Sequence, residues 1–515
     1  MSARDRLSGL TRRMGALAAL ALGALGGLAF PGPNLPLLIL PAIAGLAALS
    51  ATAPTIGRAA LYGWAFGLGQ FLVGLYWIGF AFAARDPALA PLAPAAVVGL
   101  SAGLALFVAL ASAAFRALRP IGFGAPMAFA GIWTLAELAR GHVLTGFPWN
   151  LLAHAWVPGA EVGQAAAWIG VYGLSLVTAF AAAAPAAFLD GRRAGLAASA
   201  MAVALIAGLF ALGSWRLAQP GPEALDVQIR IVQPAILQTD KWRPELRESN
   251  FAAHLTLSRA PANEPLDLVV WPETAAPGDL SARPDWVAAI GRLATPPGGA
   301  AIIGAPRRDR AIDAVYNSVF VIDDRGDVTA LYDKHHLVPF GEYTPLRETL
   351  GLPTLTGAGF TPGPGPSTLA PASAPSFSPL ICYEAIFPGA ATGADRPQWL
   401  LTATNDAWFG DSPGPRQHLR ASAYRSVEEG LPMIRAANTG ISAAIDARGG
   451  YVALMPYGER GVLDLALPGR LPPTLYAQSP VEPAIPMAFA LLIAGLMASQ
   501  RAHKLFGADQ TSGIP

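Results

Sequence analysis

The sequence contains a single cysteine, Cys382, in 515 residues. A chain with one thiol cannot form an intrachain disulfide, which excludes the small disulfide-stapled folds. Charged residues are also scarce, at 13% of the chain against about 25% in an average soluble domain. The formal net charge is +1. Because the sequence has no basic tract and no basic helix interleaved with aromatic residues, we expect no nucleic-acid partner.

The few charges are unevenly placed along the chain. Residues 1–220 carry 12 arginines, five acidic residues and no lysine, whereas 52 charged residues follow. A first half so apolar is typical of a membrane domain, and the remainder is long enough, at about 250 residues, for one α/β domain with its own core. We therefore predict three parts: a membrane domain at 1–220, a globular domain at 221–480, and a final transmembrane helix with its tail at 481–515.

Eight segments are apolar enough to be transmembrane helices, each of which needs about 20 mostly apolar residues. They run over roughly 14–30, 35–52, 59–83, 94–117, 122–139, 162–188, 195–213 and 483–499. A basic N-terminus followed by an apolar run also describes a cleaved signal peptide. Because further apolar segments follow at once, we interpret the first segment as a transmembrane helix.

The distribution of arginine and lysine predicts the orientation of these helices. With the N-terminus in the cytoplasm, the cytoplasmic segments hold eleven basic residues and the short outer loops hold two, as the positive-inside rule requires. The eleven are Arg4, Arg6, Arg12, Arg13, Arg58, Arg116, Arg119, Arg192, Arg193, Arg501 and Lys504, and the two are Arg85 and Arg140. Seven crossings place the globular domain on the outer face, and the eighth returns the C-terminus to the cytoplasm.

The globular half alternates short apolar runs with helical stretches, a pattern typical of an α/β layered domain. The predicted strands are 228–236, 266–271, 300–304, 316–322, 328–332, 378–381, 399–403, 433–436 and 441–445, and the main helices are 243–259, 284–294 and 415–429. Two long loops, 341–376 and 405–416, carry apolar side chains. Such loops are either lids and binding loops or ordinary surface connections.

Three chemically active side chains stand at the ends of apolar runs: Glu273, Lys334 and Cys382. Sites in α/β sheets are built at the carboxyl ends of strands, so these side chains are candidates for one site. A carboxylate there takes the thiol proton, and an ammonium favours the thiolate and stabilises an oxyanion. Each residue alone also has an ordinary interpretation, namely a surface acid, a surface lysine and a buried core cysteine.

Several motifs carry a resemblance to a known family. Trp271-Pro272-Glu273, the run YDKHHLVPFGE at 332–342 and Cys382-Tyr383-Glu384 resemble the signatures of the carbon–nitrogen hydrolase (nitrilase) superfamily. With transmembrane segments on both sides, the whole chain resembles the apolipoprotein N-acyltransferase family. Further agreement lies in Lys241-Trp242, Tyr316-Asn317-Ser318, TNDAWFG at 404–410 and RAANTG at 435–440. One departure is Ala235, where the family often carries Asn.

The resemblance implies a fold and a set of roles. The fold is a membrane domain of eight transmembrane helices joined to a nitrilase-like α/β domain, a four-layer αββα sandwich. Glu273 is implied as the general base, Lys334 as the oxyanion partner and Cys382 as the nucleophile. The implied supporting residues are Glu342, Tyr383 and Glu384, and the implied substrate-binding residues are Asn317, Trp242, Trp408 and Phe409. No metal and no cofactor is implied.

The implied reaction is a ping-pong acyl transfer at the outer face of a bacterial inner membrane. Cys382 takes an acyl chain from a phospholipid, phosphatidylethanolamine being expected, and forms a thioester. The α-amine of the N-terminal diacylglyceryl-cysteine of an apolipoprotein then accepts the chain. The expected partners are therefore a phospholipid, an apolipoprotein and the bilayer, and we expect a monomer.

Two alternatives stay open beside this interpretation. One is a membrane-tethered amidase that passes its acyl group to water, and the other is a catalytically inactive protein that binds lipid or lipoprotein. The transmembrane segments favour transfer from a lipid donor over an amidase, because a small-molecule amidase needs no membrane domain. The complete set of Glu273, Lys334 and Cys382 argues against an inactive protein.

Overall fold

The computed structural model describes residues 3–345, 359–479 and 481–511. Most of the predicted loop at 341–376, namely 346–358, lies outside the described residues, as do the side chains of residues 3–13 and 504–511. The chain forms two compact units. The first comprises 1–79, 91–219 and 478–515, and the second comprises 80–90 and 220–477.

Helices dominate the first unit and flank the sheets of the second. In chain order the described residues form α1 (Ala3–Gly27), α2 (Ile39–Thr52), α3 (Ile56–Leu75), α4 (Phe80–Arg85), α5 (Ala93–Leu118), α6 (Gly124–His142), α7 (Ala166–Ala183), α8 (Arg192–Ala218), α9 (Gln238–Lys241), α10 (Arg247–Ser258), α11 (Pro284–Leu293), α12 (Pro413–Glu429) and α13 (Ala484–Thr511). Each of the eight apolar segments predicted from the sequence overlaps a helix of this set.

Five helical stretches of the described residues are long and apolar enough to cross a membrane, so the first unit is a membrane domain. These are Ile56–Arg85, Pro87–Leu118, Val162–Asp190, Arg192–Ala218 and Ala484–His503, and two shorter apolar helices cover Met14–Gly27 and Pro36–Thr52. Helix α6 is not among them. It carries Glu137 and Arg140, which are buried within the unit and lie 3.9 Å apart. Eight crossings therefore stay a prediction.

Small residues let the last helix pack closely against α6. A Cβ atom added at Gly131 would lie 2.6 Å from the carbonyl oxygen of Ala488 on α13, closer than carbon and oxygen can approach. Membrane helices associate through such close contacts, because lipid tails give no hydrophobic drive for helices to meet. Helix α13, which follows the globular half, thus packs against α6 of the membrane unit.

We predict that Gly131→Leu lowers the thermal unfolding midpoint of the detergent-solubilised protein. The added side chain overpacks the contact between α6 and α13, at a cost of about 1–3 kcal/mol or more. Gly103→Leu is the matched control, because Gly103 lies within α5 and an added Cβ meets nothing within 4 Å. Equal midpoints for the two variants would show that this helix contact does not hold the unit together.

The second unit is built on two β-sheets. Its strands are β1 (Gln228–Gln233), β2 (Leu268–Val270), β3 (Ala300–Asp309), β4 (Ala314–Asp323), β5 (Val328–Asp333), β6 (Phe377–Ile381), β7 (Trp399–Thr404), β8 (Met433–Ala437), β9 (Ser442–Ile445), β10 (Tyr451–Met455) and β11 (Gly461–Ala466). The six-stranded sheet has the order β11-β1-β2-β3-β4-β5, and the five-stranded sheet has the order β10-β9-β8-β7-β6. Strands β1, β2 and β3 are parallel, as are β6, β7 and β8.

The two sheets share one hydrophobic core, and each also packs against helices on its other face. On β2, Leu268 and Val270 lie in the cluster shared with Trp399 and Leu401 of the second sheet. Their neighbour Val269 lies in a separate cluster with side chains of α10 and α11. Side chains alternate between the two faces of a strand, so a strand covered on both faces reads as a continuous apolar run.

The structure extends the predicted strand pattern at the sheet edges. The hairpin predicted between 316–322 and 328–332 is present as β4 and β5. Two strands that the sequence analysis did not predict, β10 and β11, form an outer edge of each sheet. β10 exposes most of its side chains and those of β11 are mostly half-buried, so the apolar alternation that identifies a buried strand is weak in both.

Candidate active site

The three predicted side chains lie close after strand ends in the second unit. Lys334 directly follows β5, Cys382 directly follows β6, and Glu273 comes three residues after β2. All three are buried, with Glu273 at 7%, Lys334 at 1% and Cys382 at 8% exposure. The interpretations as a surface acid and a surface lysine are therefore wrong. A buried charge is costly unless it is paired, so the partners of each group decide what the site can do.

Lys334 lies between the carboxylates of buried Glu273 and partly buried Glu342. Its Nζ donates a hydrogen bond to Glu342 at 2.9 Å and lies 3.8 Å from Glu273 Oε1. Asn317 Nδ2 donates to both acids, at 2.7 Å to Glu273 and 3.1 Å to Glu342. The backbone N–H of Val338 donates to the second oxygen of Glu342 at 2.8 Å. Two of the predicted accompanying residues, Glu342 and Asn317, thus contact the predicted base and cation.

The electrostatics of this group set the protonation state of each member. Burial raises the pKa of Glu273, and the nearby Lys334 ammonium only partly offsets this. Burial by itself lowers the pKa of Lys334. The carboxylates of Glu342 and Glu273 raise this pKa by more than burial lowers it, so the net shift is upward. The lysine therefore stays cationic, while the raised pKa of Glu273 makes it a stronger base than an ordinary carboxylate.

The Cys382 thiol is protonated at rest. Burial raises its pKa, the negative charge of Glu273 raises it further, and the Lys334 ammonium lowers it by less than both. The sequence-based expectation that the ammonium favours a resting thiolate is therefore outweighed by burial. Because the thiolate is the nucleophile, the thiol needs a base at the moment of reaction.

The backbone at Cys382 is strained. Its φ is +52°, in the left-handed region, at the start of the short helical turn Cys382–Ile386. For a residue with a side chain this conformation costs about 1–2 kcal/mol. Strained residues persist only where surrounding contacts hold them, and they cluster at active sites.

Glu384 ties the segment of Cys382 to the segment of Lys334. Its buried carboxylate accepts hydrogen bonds from the N–H groups of Ile381 (2.7 Å), His335 (2.9 Å) and His336 (3.1 Å) and from the hydroxyl of Tyr332 (2.9 Å), and the His335 ring Nδ1 lies 2.6 Å from it. Burial raises the pKa of Glu384, but the hydrogen bond and charge of His335, the charge of Lys334 and the Ile381 N–H together lower it more, so the net pKa is below its ordinary value. The carboxylate is ionised and joins the two segments.

The remaining predicted site residues are aromatic. Tyr383 is buried, and its ring packs edge-to-face against Phe387 at 5.0 Å. Trp408 and Phe409 are half-buried in the short helical turn Asp406–Phe409, which follows β7. Trp242 follows α9 and is 43% exposed. These rings supply apolar surface on loops of the same unit, without a charge or a nucleophile.

Lys241, in the motif Lys241-Trp242, also contacts the candidate site, although the motif by itself predicts no role for it. It is 3% exposed, and its Nζ donates a hydrogen bond to the backbone carbonyl of Glu273 at 2.8 Å. Burial lowers its pKa to about 8, although Glu273 and Cys382 partly offset this. A lysine is rarely buried, so the sequence alone predicts an exposed side chain here.

A second polar cluster lies beside the thiol. The side-chain atoms of Cys382, Asp406 and His418 that could bind a metal ion lie within 4.8 Å of one another, and all three residues are buried. Arg435 donates a hydrogen bond to Asp406 at 2.6 Å, and both ring nitrogens of His418 have hydrogen-bond partners. A metal ion would meet the arginine cation and would have to displace these hydrogen bonds, so the cluster does not fit a metal site.

Comparison with known proteins decides the family. Residues 22–184 match the family described as apolipoprotein N-acyltransferase N-terminal domain, and residues 228–471 match carbon-nitrogen hydrolase. Apolipoprotein N-acyltransferase of Rhizobium meliloti is 43% identical over 80% of both chains. That of Caulobacter vibrioides is 40% identical over 87% of this chain and 89% of its own. The chain belongs to the apolipoprotein N-acyltransferase family.

Solved structures resemble the chain more distantly. A carbon–nitrogen hydrolase superfamily protein from Xanthomonas campestris is 19% identical with a TM-score of 0.36, covering 47% of this chain and 91% of its own. An amidase from Nesterenkonia is 19% identical with a TM-score of 0.36, covering 51% of this chain and 96% of its own. The family resemblance inferred from the sequence motifs is confirmed by the family matches and the curated relatives.

In this apolipoprotein N-acyltransferase family member, we predict that Lys241→Met changes the pH dependence of stability. Folding lowers the pKa of Lys241 from its ordinary 10.5 to about 8. The unfolded chain therefore holds this proton more tightly, and the stability of the wild type rises between pH 8 and 10. The gain is at most about 3 kcal/mol.

The measurement is the thermal unfolding midpoint of wild type and Lys241→Met between pH 7 and 10. The wild type should gain on the variant as the pH rises, because the variant lacks the titrating group. A difference that stays constant across this range would mean that Lys241 is not a buried ammonium near pH 7.

Proposed function

We propose that this chain is a membrane acyltransferase that moves an acyl chain from a phospholipid to the N-terminal amine of a diacylglyceryl apolipoprotein. The observation that carries the proposal is the buried group of Glu273, Lys334 and Cys382 in a chain whose family match spans a membrane unit. In this proposal the membrane domain ends at residue 220 and the catalytic domain at residue 480, and eight helices cross the inner membrane. The catalytic domain is a four-layer αββα sandwich on the periplasmic face. It acts as a monomer.

The first half-reaction loads the enzyme. Glu273 takes the proton of the Cys382 thiol, and the thiolate attacks the ester carbonyl of the phospholipid. The tetrahedral oxyanion forms beside the Lys334 ammonium, which stabilises it. The carbon–oxygen bond then breaks, Glu273 returns the proton to the departing oxygen, and a lysophospholipid leaves. The acyl chain remains on Cys382 as a thioester, and phosphatidylethanolamine is the expected donor.

The second half-reaction unloads it. The α-amine of the diacylglyceryl-cysteine attacks the thioester carbonyl and passes a proton to Glu273, and Lys334 again faces the oxyanion. The carbon–sulfur bond breaks, and the thiolate regains its proton from Glu273. One ester and one amine have become one amide and one alcohol, and the enzyme has returned to its starting state.

The burial of the group supports transfer to an amine over transfer to water. Glu273, Lys334 and Cys382 are each less than a tenth exposed, so a thioester on Cys382 lies in a site with little access for solvent. Excluding water protects a reactive intermediate from hydrolysis. The aromatic residues Trp242, Trp408 and Phe409 are the proposed contacts for the acyl chains of donor and acceptor.

An acceptor assay tests the proposed function. The full-length protein is incubated with phospholipid, with or without a synthetic diacylglyceryl lipopeptide, and the products are identified by mass. We expect an N-acylated lipopeptide and little free fatty acid when the lipopeptide is absent. Rapid release of fatty acid without the acceptor would favour the amidase, and absence of any product would favour the binding protein.

We predict that Glu273→Gln slows acylation of Cys382 by about 10²–10⁴-fold, the usual range for loss of a general base. The amide keeps the shape of the side chain and can still accept the hydrogen bond from Asn317, but it cannot take the thiol proton. The measurement is single-turnover formation of the acyl-enzyme from phospholipid. Glu264→Gln is the matched control, because Glu264 is exposed in the loop before β2. Equal rates for both variants would remove Glu273 from the role of base.

A further inference from the structure

A buried histidine contacts the strained backbone at Cys382. His418 Nε2 lies 3.0 Å from the carbonyl oxygen of Cys382, and the ring is buried on α12 at 1% exposure. A carbonyl oxygen can only accept a hydrogen bond, so Nε2 carries the proton of this contact. The contact fixes the peptide that follows the thiol, in the residue whose φ is +52°.

The other side of the ring is fixed as well. His418 Nδ1 lies 2.9 Å from Asp406 Oδ1 and 3.1 Å from a guanidinium nitrogen of Arg435. The Thr404 hydroxyl also donates to Asp406 Oδ1, at 3.0 Å. A charged imidazole donates through Nδ1 to Asp406, and a neutral imidazole accepts there from Arg435. In both charge states Nε2–H remains directed at the Cys382 carbonyl.

The same residues suggest a different role, which the geometry opposes. Cysteine, histidine and aspartate side chains in one cluster resemble a triad in which the imidazole is the base for the thiol. A base must present a free nitrogen lone pair to the thiol. Here Nε2 donates to the backbone oxygen of Cys382, and Nδ1 lies against Asp406 and Arg435, so both ring nitrogens are already engaged.

We propose that His418 is a positioning residue, which holds the Cys382 backbone in its left-handed conformation and thereby aims the thiol at Glu273 and Lys334. The catalytic part of this inference rests on the proposed function. Without the contact, the backbone relaxes towards ordinary φ values and the sulfur moves. A displacement of about 1 Å in such a group costs on the order of 100-fold in rate.

Two substitutions of the same residue separate positioning from base catalysis. His418→Gln keeps an N–H donor within reach of the Cys382 carbonyl but has no basic nitrogen. His418→Leu removes both. We measure single-turnover acylation of the full-length protein by phospholipid, the rate of alkylation of the unique thiol by iodoacetamide, and the thermal unfolding midpoint of each variant.

If His418 is a positioning residue, His418→Gln should retain the acylation and alkylation rates that His418→Leu loses. His418→Leu should acylate and alkylate on the order of 100-fold more slowly. His418→Gln should stay within about fivefold of the wild type, the effect of one altered hydrogen bond. If glutamine and leucine lose activity equally while both variants stay folded, His418 is a base and the proposal is wrong. If leucine has no effect on either rate, His418 is not needed to position the thiol and the proposal is also wrong.

Alkylation also separates this inference from the proposed function. Iodoacetamide reports on the thiol without any lipid substrate. Suppose that the wild type forms no acyl-enzyme, but that wild type and His418→Gln are alkylated faster than His418→Leu. The positioning role then holds and the proposed function fails. If the leucine variant does not fold, His418→Met takes its place, because an unbranched apolar side chain fills the site without an N–H donor to the Cys382 carbonyl. A normal alkylation rate in folded His418→Met would then overturn the proposal.

Discussion

One buried ammonium between a buried and a partly buried carboxylate is the interaction on which the site depends. The Lys334 ammonium lies 2.9 Å from Glu342 and 3.8 Å from Glu273, at 1% exposure. None of these charges is stable alone in the interior, because each needs a partner to offset its desolvation. With two acids and one cation, the group holds one carboxylate more than Lys334 can neutralise. Glu273, the more distant acid with a raised pKa, is the one suited to accept a proton.

The fold serves to bring these groups together and to hold them under strain. Glu273 and Lys334 follow strands of the six-stranded sheet, whereas Cys382 follows a strand of the other sheet. The shared core fixes the two sheets against each other, and the Glu384 carboxylate links the segments of Lys334 and Cys382. In the proposed function, burial keeps the Cys382 thiol protonated until Glu273 takes its proton, and it limits the access of water to the thioester.

Much of this site could be predicted from the sequence, and what was missed has a physical cause. Glu273 and Cys382 follow strands that are buried on both faces, whereas Lys334 follows the edge strand β5, which exposes half of its side chains. The apolar runs predicted that all three residues lie just after strand ends. Lys241 and His418 were missed because nothing in their neighbouring sequence marks a lysine or histidine as buried. Both act on backbone carbonyls of the candidate triad, and such contacts depend on the tertiary fold rather than on any motif. Strands β10 and β11 were missed because their exposed or half-buried side chains weaken the apolar alternation.

The backbone bears on Ala235, where the family resemblance implies asparagine. Ala235 has a φ of +52°, in the left-handed region, where asparagine is tolerated better than other residues with a side chain. The implied asparagine would suit this conformation better than alanine does. Its N–H donates to the carbonyl of Asn438 at 2.9 Å, so the turn keeps its hydrogen bond with alanine.

The most direct test of the central claim is the chemical state of Cys382 after contact with phospholipid. The full-length protein and its Cys382→Ala variant are incubated with phospholipid labelled in the acyl chain, without acceptor, and then treated with hydroxylamine, which cleaves thioesters. The account predicts labelled wild-type protein that loses its label to hydroxylamine, and an unlabelled alanine variant. Equal, hydroxylamine-sensitive labelling of the alanine variant would contradict it.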